Sequence, residues 1–389
     1  MPEPEPYDVI TMGRIGVDLY PLRTGVPLAE AETFGKFLGG SPANVAVAGA
    51  RLGRRTAVIT RTGRDAFGDY LRSELRRFGV GDQWATEVEP WPTPVTFCEM
   101  FPPDDFPLYF YRFPKAPDLE IRPEELDLDA IRAARIFWFT GTGLCDEPSR
   151  TATLTALRAR GAGAEDGGGP RPVTVFDLDW RPMFWEKGDG PDGSDAPARY
   201  REALAHATVA VGNLAECAVA TGEREPHAAA RALLAAGVEL AVVKQGPDGV
   251  LAMHRDGRTA QVPPLPVRVV NGLGAGDAFG GALCHGLLAD WDVGRIMRYA
   301  NAAGAIVASR LACSSAMPFP HEIDRALAAG EVTPAPPDAV PPEAAYREAD
   351  SPDPTSPDPT PAAPTPADPT PLEPSPPGAG RGRAGRGSA

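Results

Sequence analysis

Short apolar runs that stop at a glycine or a polar residue alternate along this chain with segments of helical period. YDVITMG, TAVITRTG, ARIFWFTG, PVTVFDLDW, TVAVGN and LAVVKQG read as strands. GGSPANVAVAGARLG, AFGDYLRSELRRFGV, SRTATLTALRARG, YREALAHA and PHAAARALLAAG, between them, read as helices. In the second of these, Phe67, Leu71, Leu75 and Phe78 are spaced four, four and three, which lines one face of a helix. Strands that are apolar on both sides must be covered on both sides. The pattern therefore predicts an α/β fold: an open, mostly parallel β-sheet flanked by helices on both faces. Ligands in such folds bind at the carboxyl ends of the strands. One region breaks the alternation. TPVTFCEMF and PLYFYRF are joined by PPDDFP without a helix, which predicts a hairpin in a small sheet projecting from the main one.

The stretch NGLGAGDAFGGA, residues 271–282, carries the most chemistry. The run VRVV before it reads as a strand ending at Val270, and a helix is expected to start near Asp277, with Phe279, Leu283 and Leu287 on one face. Free amides at a helix start form an anion site, here from Gly274, Ala275 and Gly276, with no basic residue needed. A dinucleotide fingerprint fails in register: counted from Gly272, its third glycine falls on Asp277, and counted from Gly274, on Phe279. A carboxylate there would repel a pyrophosphate that had to stay bound, but it suits a base that takes a proton from an attacking hydroxyl. On the loop alone, a merely flexible turn remains open. No GxxxxGK[ST] loop and no HRD/DFG set is present, so phosphoryl transfer would need another architecture.

Composition narrows the options. The formal charge of -14 argues against a general nucleic-acid or acidic-membrane binder. The 43% hydrophobic content supports a sizeable core, yet 45 prolines are too many for one ordinary domain. They concentrate after Val332, so residues 1–331 are expected to form the folded domain and 332–389 a disordered Pro-rich tail. That tail ends in a Gly/Arg tip with Arg381, Arg383 and Arg386. GAGAEDGGGP (161–170) and EKGDGPDGSDAPA (186–198) read as surface loops. Five scattered cysteines without a CxxC pair suit free thiols in a reducing cytoplasm rather than disulfides or zinc. The acidic N-terminus is not a signal peptide, and no apolar run of about 18 residues is present to span a membrane.

Four motifs in this order resemble the ribokinase-like (PfkB) carbohydrate kinases: GGSPANVAVAGARLG, NLAEC, VVKQGPDG and GLGAGDAFGGA. The resemblance covers about residues 7–325. It implies a ribokinase-like sheet with a small β-sheet lid, from about 14–38 and 92–115. It also implies ATP and Mg²⁺ as cofactors. Within the family, YDVITMGRIGVDLYP, FPPDDFPLYFYRFPKAPD, FDLDWRP and NGLGAGD resemble the branch that phosphorylates the C6 hydroxyl of 5-dehydro-2-deoxygluconate in myo-inositol catabolism. The signature departs from the wider family where Asn271-Gly272 replaces the usual Asp-Thr.

The resemblance assigns roles residue by residue. Asp277 is the general base, and Gly274, Ala275 and Gly276 stabilise charge on the transferring phosphoryl group. Asn213 and Glu216 organise hydrated magnesium, directly or through water. Lys244, Gly246 and Gly249 lie along the nucleotide, and Asn301 near the adenine. Asp18, Gly40 and Asn44 hold sugar hydroxyls. The lid excludes water, and the resemblance also allows a homodimer through it.

A sugar acid needs a cation near its carboxylate. Arg14, Arg112, Lys115 and Arg181 fall at predicted site-facing positions and favour an acidic sugar over a neutral one. Tyr109 and Tyr111 share one strand face and either donate to the ligand or pack. Trp180 and Trp185 read as packing residues. Within the same family, a 2-keto-3-deoxygluconate kinase or a fructokinase is the alternative; in another class, an inactive ligand-binding or scaffold protein.

Overall fold

The computed structural model describes residues 5–165, 172–185 and 195–333. The chain opens with β1 (Val9–Met12), β2 (Gly16–Pro21) and β3 (Phe34–Gly39), followed by α1 (Ser41–Arg51), β4 (Thr56–Gly63) and α2 (Ala66–Arg77). Three short strands come next, β5 (Ala85–Val88), β6 (Val95–Cys98) and β7 (Leu108–Tyr111). The middle alternates α3 (Leu128–Ala133), β8 (Ile136–Thr140), α4 (Ser149–Glu165), β9 (Val173–Asp177), α5 (Ala196–Leu204), β10 (Val209–Asn213), α6 (Leu214–Thr221), α7 (Pro226–Ala235) and β11 (Leu240–Lys244). It ends with β12 (Val250–His254), β13 (Thr259–Val262), α8 (Ala275–Leu288), α9 (Val293–Ala308) and α10 (Pro320–Ala329).

Nine of the strands form one sheet in the order β13-β12-β11-β10-β9-β8-β1-β4-β5. From β11 to β5 every pairing is parallel; only the β12 and β13 pairings are antiparallel. Successive strand residues enter opposite cores, as a period of two requires. Val9, Val58, Ile136, Val175 and Val242 face α1, α2, α8 and α9, whereas Ile10, Ile59, Phe137, Phe176 and Val243 face the α3–α7 side. Burial of each large apolar side chain contributes about 1.5–3 kcal/mol. The predicted α/β sheet, covered on both faces, is the one observed. So is the hairpin, for β6 and β7 pair antiparallel within a second sheet of order β3-β2-β6-β7.

Two expectations are corrected. VRVV is not a strand: residues 263–269 are irregular, and the Val270 and Asn271 amides donate to the carbonyl of Ala308 at the end of α9. That partner, rather than a neighbouring strand, satisfies the backbone before the glycine loop. The segment 161–170 begins as helix, since α4 runs to Glu165, and Ala196 of the segment 186–198 already opens α5. The rest of both segments and the tail from 334 lie outside the described residues. Val332, by contrast, packs on the core and donates its amide to Pro266.

Candidate active site

The glycine loop starts α8. Gly274 is its N-cap, with a φ of 78°, and no side chain caps the helix. The first-turn amides of Ala275 and Gly276 are therefore left to a ligand, with the positive end of the helix dipole behind them. Gly274 is required twice over. A Cβ there would adopt an unfavourable backbone angle and would also lie 2.7 Å from Cys313 Sγ. Asn271 explains the departure at the head of the motif. It is fully buried, its Nδ2 donates to the Leu311 carbonyl at 2.7 Å, and its Oδ1 accepts from the Leu273 amide at 2.9 Å. Asn271 thus holds the loop in shape without touching the chemistry. Gly281, further along, permits close helix packing, because a Cβ would meet Ala48 Cβ of α1 at 2.4 Å.

That packing brings α1 beside the start of α8. Asn44 Nδ2 donates to Asp277 Oδ2 at 2.8 Å, which fixes the carboxylate. Burial pushes the Asp277 carboxyl above its ordinary range, and nearby Asp179 adds to this; donors from Asn44 and Ser41 and the charge of Arg14 work the other way. Asn44 Oδ1 is buried without a partner among the described residues. Lys244, at the end of β11, extends over the loop: its Nζ lies 3.2 Å from where a Gly276 Cβ would be. Burial disfavours the Lys244 charge, but Glu216, Asp177, Asp277 and Asp179 together raise its pKa above the ordinary value, so it stays an ammonium.

The ends of β9 and β10 supply the rest. Asp177 accepts from Ser41 Oγ at 3.2 Å; burial holds its carboxyl well above the usual range, against the pull of Lys244. Asp179 is buried too, yet the guanidiniums of Arg181 and Arg14 and the Thr142 hydroxyl hold it low. Arg181 lies 3.2 Å from Asp179 and 3.9 Å from Glu216, and Arg14 lies 3.5 Å from Asp179. The Nε atoms of Arg14 and Arg181 are buried without partners among the described residues.

Asn213 and Glu216 form a reciprocal cap at the start of α6. Asn213 Oδ1 accepts from the Glu216 amide at 2.9 Å, and Glu216 Oε2 accepts from the Asn213 amide at 2.7 Å. The NxxE spacing is thus also a helix-start device, a reading that sequence reasoning did not consider. Asn213 and Lys244 are directly paired in the sheet, so the cap stands beside the lysine.

Gly246 and Gly249 form the turn from β11 to β12. Gly249 lies against the Val262 carbonyl and Pro263, and Asn301 Nδ2 of α9 donates to the Pro263 carbonyl at 3.0 Å, so Gly249 and Asn301 meet the same segment after β13. On the lid side, Asp18 is on β2 and Gly40 is the N-cap of α1 beside the Arg14 carbonyl. Burial raises the Asp18 pKa to about 6, opposed by a hydrogen bond from Tyr20 and by Arg14. Arg112 lines the same small cavity as Arg14, Asp18 and Gly40, but its guanidinium is committed to Asp118 at 3.0 Å, with both side chains buried, and stacks on Phe184. Lys115 pairs with Glu120 at 2.9 Å and Asp146 at 3.5 Å. Tyr111 is 64% exposed with its ring edge-on to Phe97, and Tyr109 donates to Glu99. Trp180 and Trp185 pack on each other and on Tyr200.

Known proteins are similar to this chain in sequence and fold. The family described as pfkB family carbohydrate kinase matches residues 7–320. A 5-dehydro-2-deoxygluconokinase of Shouchella clausii is 32% identical, with 82% of this chain and 95% of that protein aligned. One from Geobacillus kaustophilus is 33% identical over 82% of this chain and 93% of the relative. Among solved structures, the fructokinase of Xylella fastidiosa with bound ATP superposes with a TM-score of 0.70 and 26% identity, covering 83% of this chain and 99% of that one.

Proposed function

This chain belongs to the pfkB family of carbohydrate kinases and is an ATP-dependent sugar kinase; from that premise we propose that its acceptor is 5-dehydro-2-deoxygluconate, phosphorylated at the C6 hydroxyl. The observation that carries the reaction type is the uncapped start of α8, with Asp277 in its first turn and Lys244 reaching over Gly276. The acceptor hydroxyl gives its proton to Asp277 as its oxygen bonds to the γ-phosphorus. The bond from that phosphorus to the bridging oxygen breaks, and the electron pair leaves with ADP. The amides of Gly274, Ala275 and Gly276 face the charge that develops on the transferring group. Asn44 keeps Asp277 aimed, and Lys244 lies along the phosphates.

The acidic substrate is supported by two guanidiniums, that of buried Arg14 and that of partly buried Arg181, whose Nε donors are unspent among the described residues. Asp18, Gly40 and the free Oδ1 of Asn44 would receive the hydroxyls. Arg112 acts through shape here, since Asp118 already takes its charge. Lys115 holds the lid base through Glu120. The turn at Gly246 and Gly249, with Asn301 of α9 bonded to neighbouring Pro263, would take the nucleoside.

Magnesium fits the donor set through water and phosphate rather than a protein cage. Among the described residues, no group of three metal-ligating side chains is poised to enclose an ion, while Glu216 and Asp177 sit beside Lys244. When bound, it would neutralise phosphate charge; Asn213 and Glu216 would order its waters.

The same reading locates the reaction in the cytoplasm, which five buried unpaired cysteines support. It also includes a homodimer through the lid, supported by the exposed rings of Tyr111 and Phe113, and tested by the mass in solution of Phe113→Asp. The substrate is tested by ADP release with 5-dehydro-2-deoxygluconate, 2-keto-3-deoxygluconate, fructose and ribose. A kcat/KM for the first that does not exceed the others overturns it.

A further inference from the structure

Tyr20 links two parts of the site that the chain keeps far apart. It lies two residues after Asp18 on β2, so both side chains leave the same face of the lid sheet. Its hydroxyl donates to Asp18 Oδ2 at 2.8 Å and lies 2.9 Å from Cys313 Sγ. A phenol has one proton and an ionised carboxylate has none, so the Cys313 thiol is the donor to the phenol oxygen. The chain of donors thus runs from Cys313 through Tyr20 to Asp18. Cys313 in turn packs on Gly274, the residue that starts the helix of the phosphoryl site. The Tyr20 ring is 1% exposed and stacks on Phe37 of β3 at 5.4 Å. Nothing in the phosphoryl-transfer step uses this phenol, yet it is buried and hydrogen-bonded between the lid and the glycine loop.

We propose that Tyr20 is a positioning residue: it fixes the Asp18 carboxylate on the lid strand against the Cys313–Gly274 contact, so the group that reads the acceptor sugar and the amides that receive the phosphoryl charge share one frame. The inference rests on the sugar-kinase reading of the site. Alignment of this kind matters because displacements of about 1 Å cost on the order of 100-fold in rate. The charged groups facing Asp18 are Arg14 and Asp277; Tyr20, Tyr70, Cys98 and Cys313 complete its titratable surroundings.

Tyr20→Phe keeps the ring and removes one hydroxyl. The expected result is an acceptor KM raised about ten-fold, the loss of one hydrogen bond to a charged group, with the ATP KM within about two-fold of wild type. A second readout needs no substrate: carbon-13 NMR of the Asp18 carboxyl, whose titration midpoint should move to higher pH when its donor is lost. An unmoved midpoint overturns the hydrogen-bond assignment whatever the acceptor proves to be. A moved midpoint with an unchanged acceptor KM overturns the positioning role. Asp18→Asn separates the two readings, because an unchanged acceptor KM in that variant removes the sugar-site assignment and leaves the Asp18 midpoint shift measured in Tyr20→Phe standing. If Tyr20→Phe does not fold, Cys313→Ala removes the loop end of the chain instead. It is expected to raise the acceptor KM, and Cys313→Ser to restore it; equal KM values in all three proteins overturn the inference.

Discussion

Asn44 Nδ2 donates to Asp277 Oδ2 at 2.8 Å across 233 positions of sequence. The bond joins the first helix to the glycine-loop helix and leaves Asn44 Oδ1 free to accept. A single amide thereby fixes the Asp277 carboxylate, the proposed base, and keeps an acceptor unspent among the described residues. Asp277→Asn keeps the shape and removes the basicity. It is expected to lower kcat by about 10²–10⁴-fold. The ATP Kd, measured by calorimetry, should stay within a few-fold of wild type. Near wild-type turnover would remove Asp277 from the role of base.

Glu216→Gln separates two roles of one residue. A glutamine at the third helical position still accepts from the Asn213 amide, so the cap survives and stability should change by less than about 1 kcal/mol. The carboxylate charge beside Lys244 is lost. The magnesium concentration for half-maximal activity should therefore rise while the unfolding midpoint hardly moves. A large fall in stability with unchanged magnesium dependence would make the NxxE element a cap alone.

The fold was legible because the central strands are mostly apolar and buried at nearly every position, and the sheet separates two cores. Val9 enters one and Ile10 the other, so the run had to be a buried parallel strand. VRVV misled because it is mostly apolar, but the amide of its last residue, Val270, answers to Ala308 on a helix that periodicity alone does not place there. In the site, the backbone-defined parts could be read, because a glycine at a helix start carries its chemistry in the chain itself. Partner choice could not be read. Arg112 and Lys115 have the charge expected of carboxylate readers, but acids on later turns, Asp118 and Glu120, take both. Arg112→Ala is accordingly a stability variant as well as a binding one, since it leaves Asp118 buried and unpaired at a cost of about 3–5 kcal/mol. Tyr20 and Cys313 were silent in the sequence because their link spans almost the whole folded chain. A polar residue closing an apolar strand, as in FDLDW, was the available signal for Asp177.

Asp177 predicts the pH dependence of stability. Burial raises its carboxyl above the unfolded value, so the folded protein holds a proton that the unfolded chain has already lost. Its contribution is complete below the ordinary carboxylate pKa and is lost as pH rises toward the folded value. Asp177→Asn removes the titration. The variant's thermal midpoint should exceed that of wild type at pH 8 by more than at pH 5. An equal difference at both values would show that Asp177 ionises normally.

Gly274→Ala tests whether the loop's geometry or only its flexibility matters. At a φ of 78° an alanine is strained by about 1–2 kcal/mol, and its Cβ would also fall 2.7 Å from Cys313 Sγ. Either the helix start rotates or Cys313 moves. Rotation would turn the Ala275 and Gly276 amides away from the phosphoryl group, for which loss of one donor costs about 10²–10³-fold in kcat. Adding Cys313→Ala relieves the contact but not the backbone strain. The double variant should recover thermal stability in part and kcat hardly at all, as measured by calorimetry and by ADP release. Full recovery of kcat would mean that the glycine is there to make room for sulfur, and that the left-handed start of the helix is incidental to catalysis.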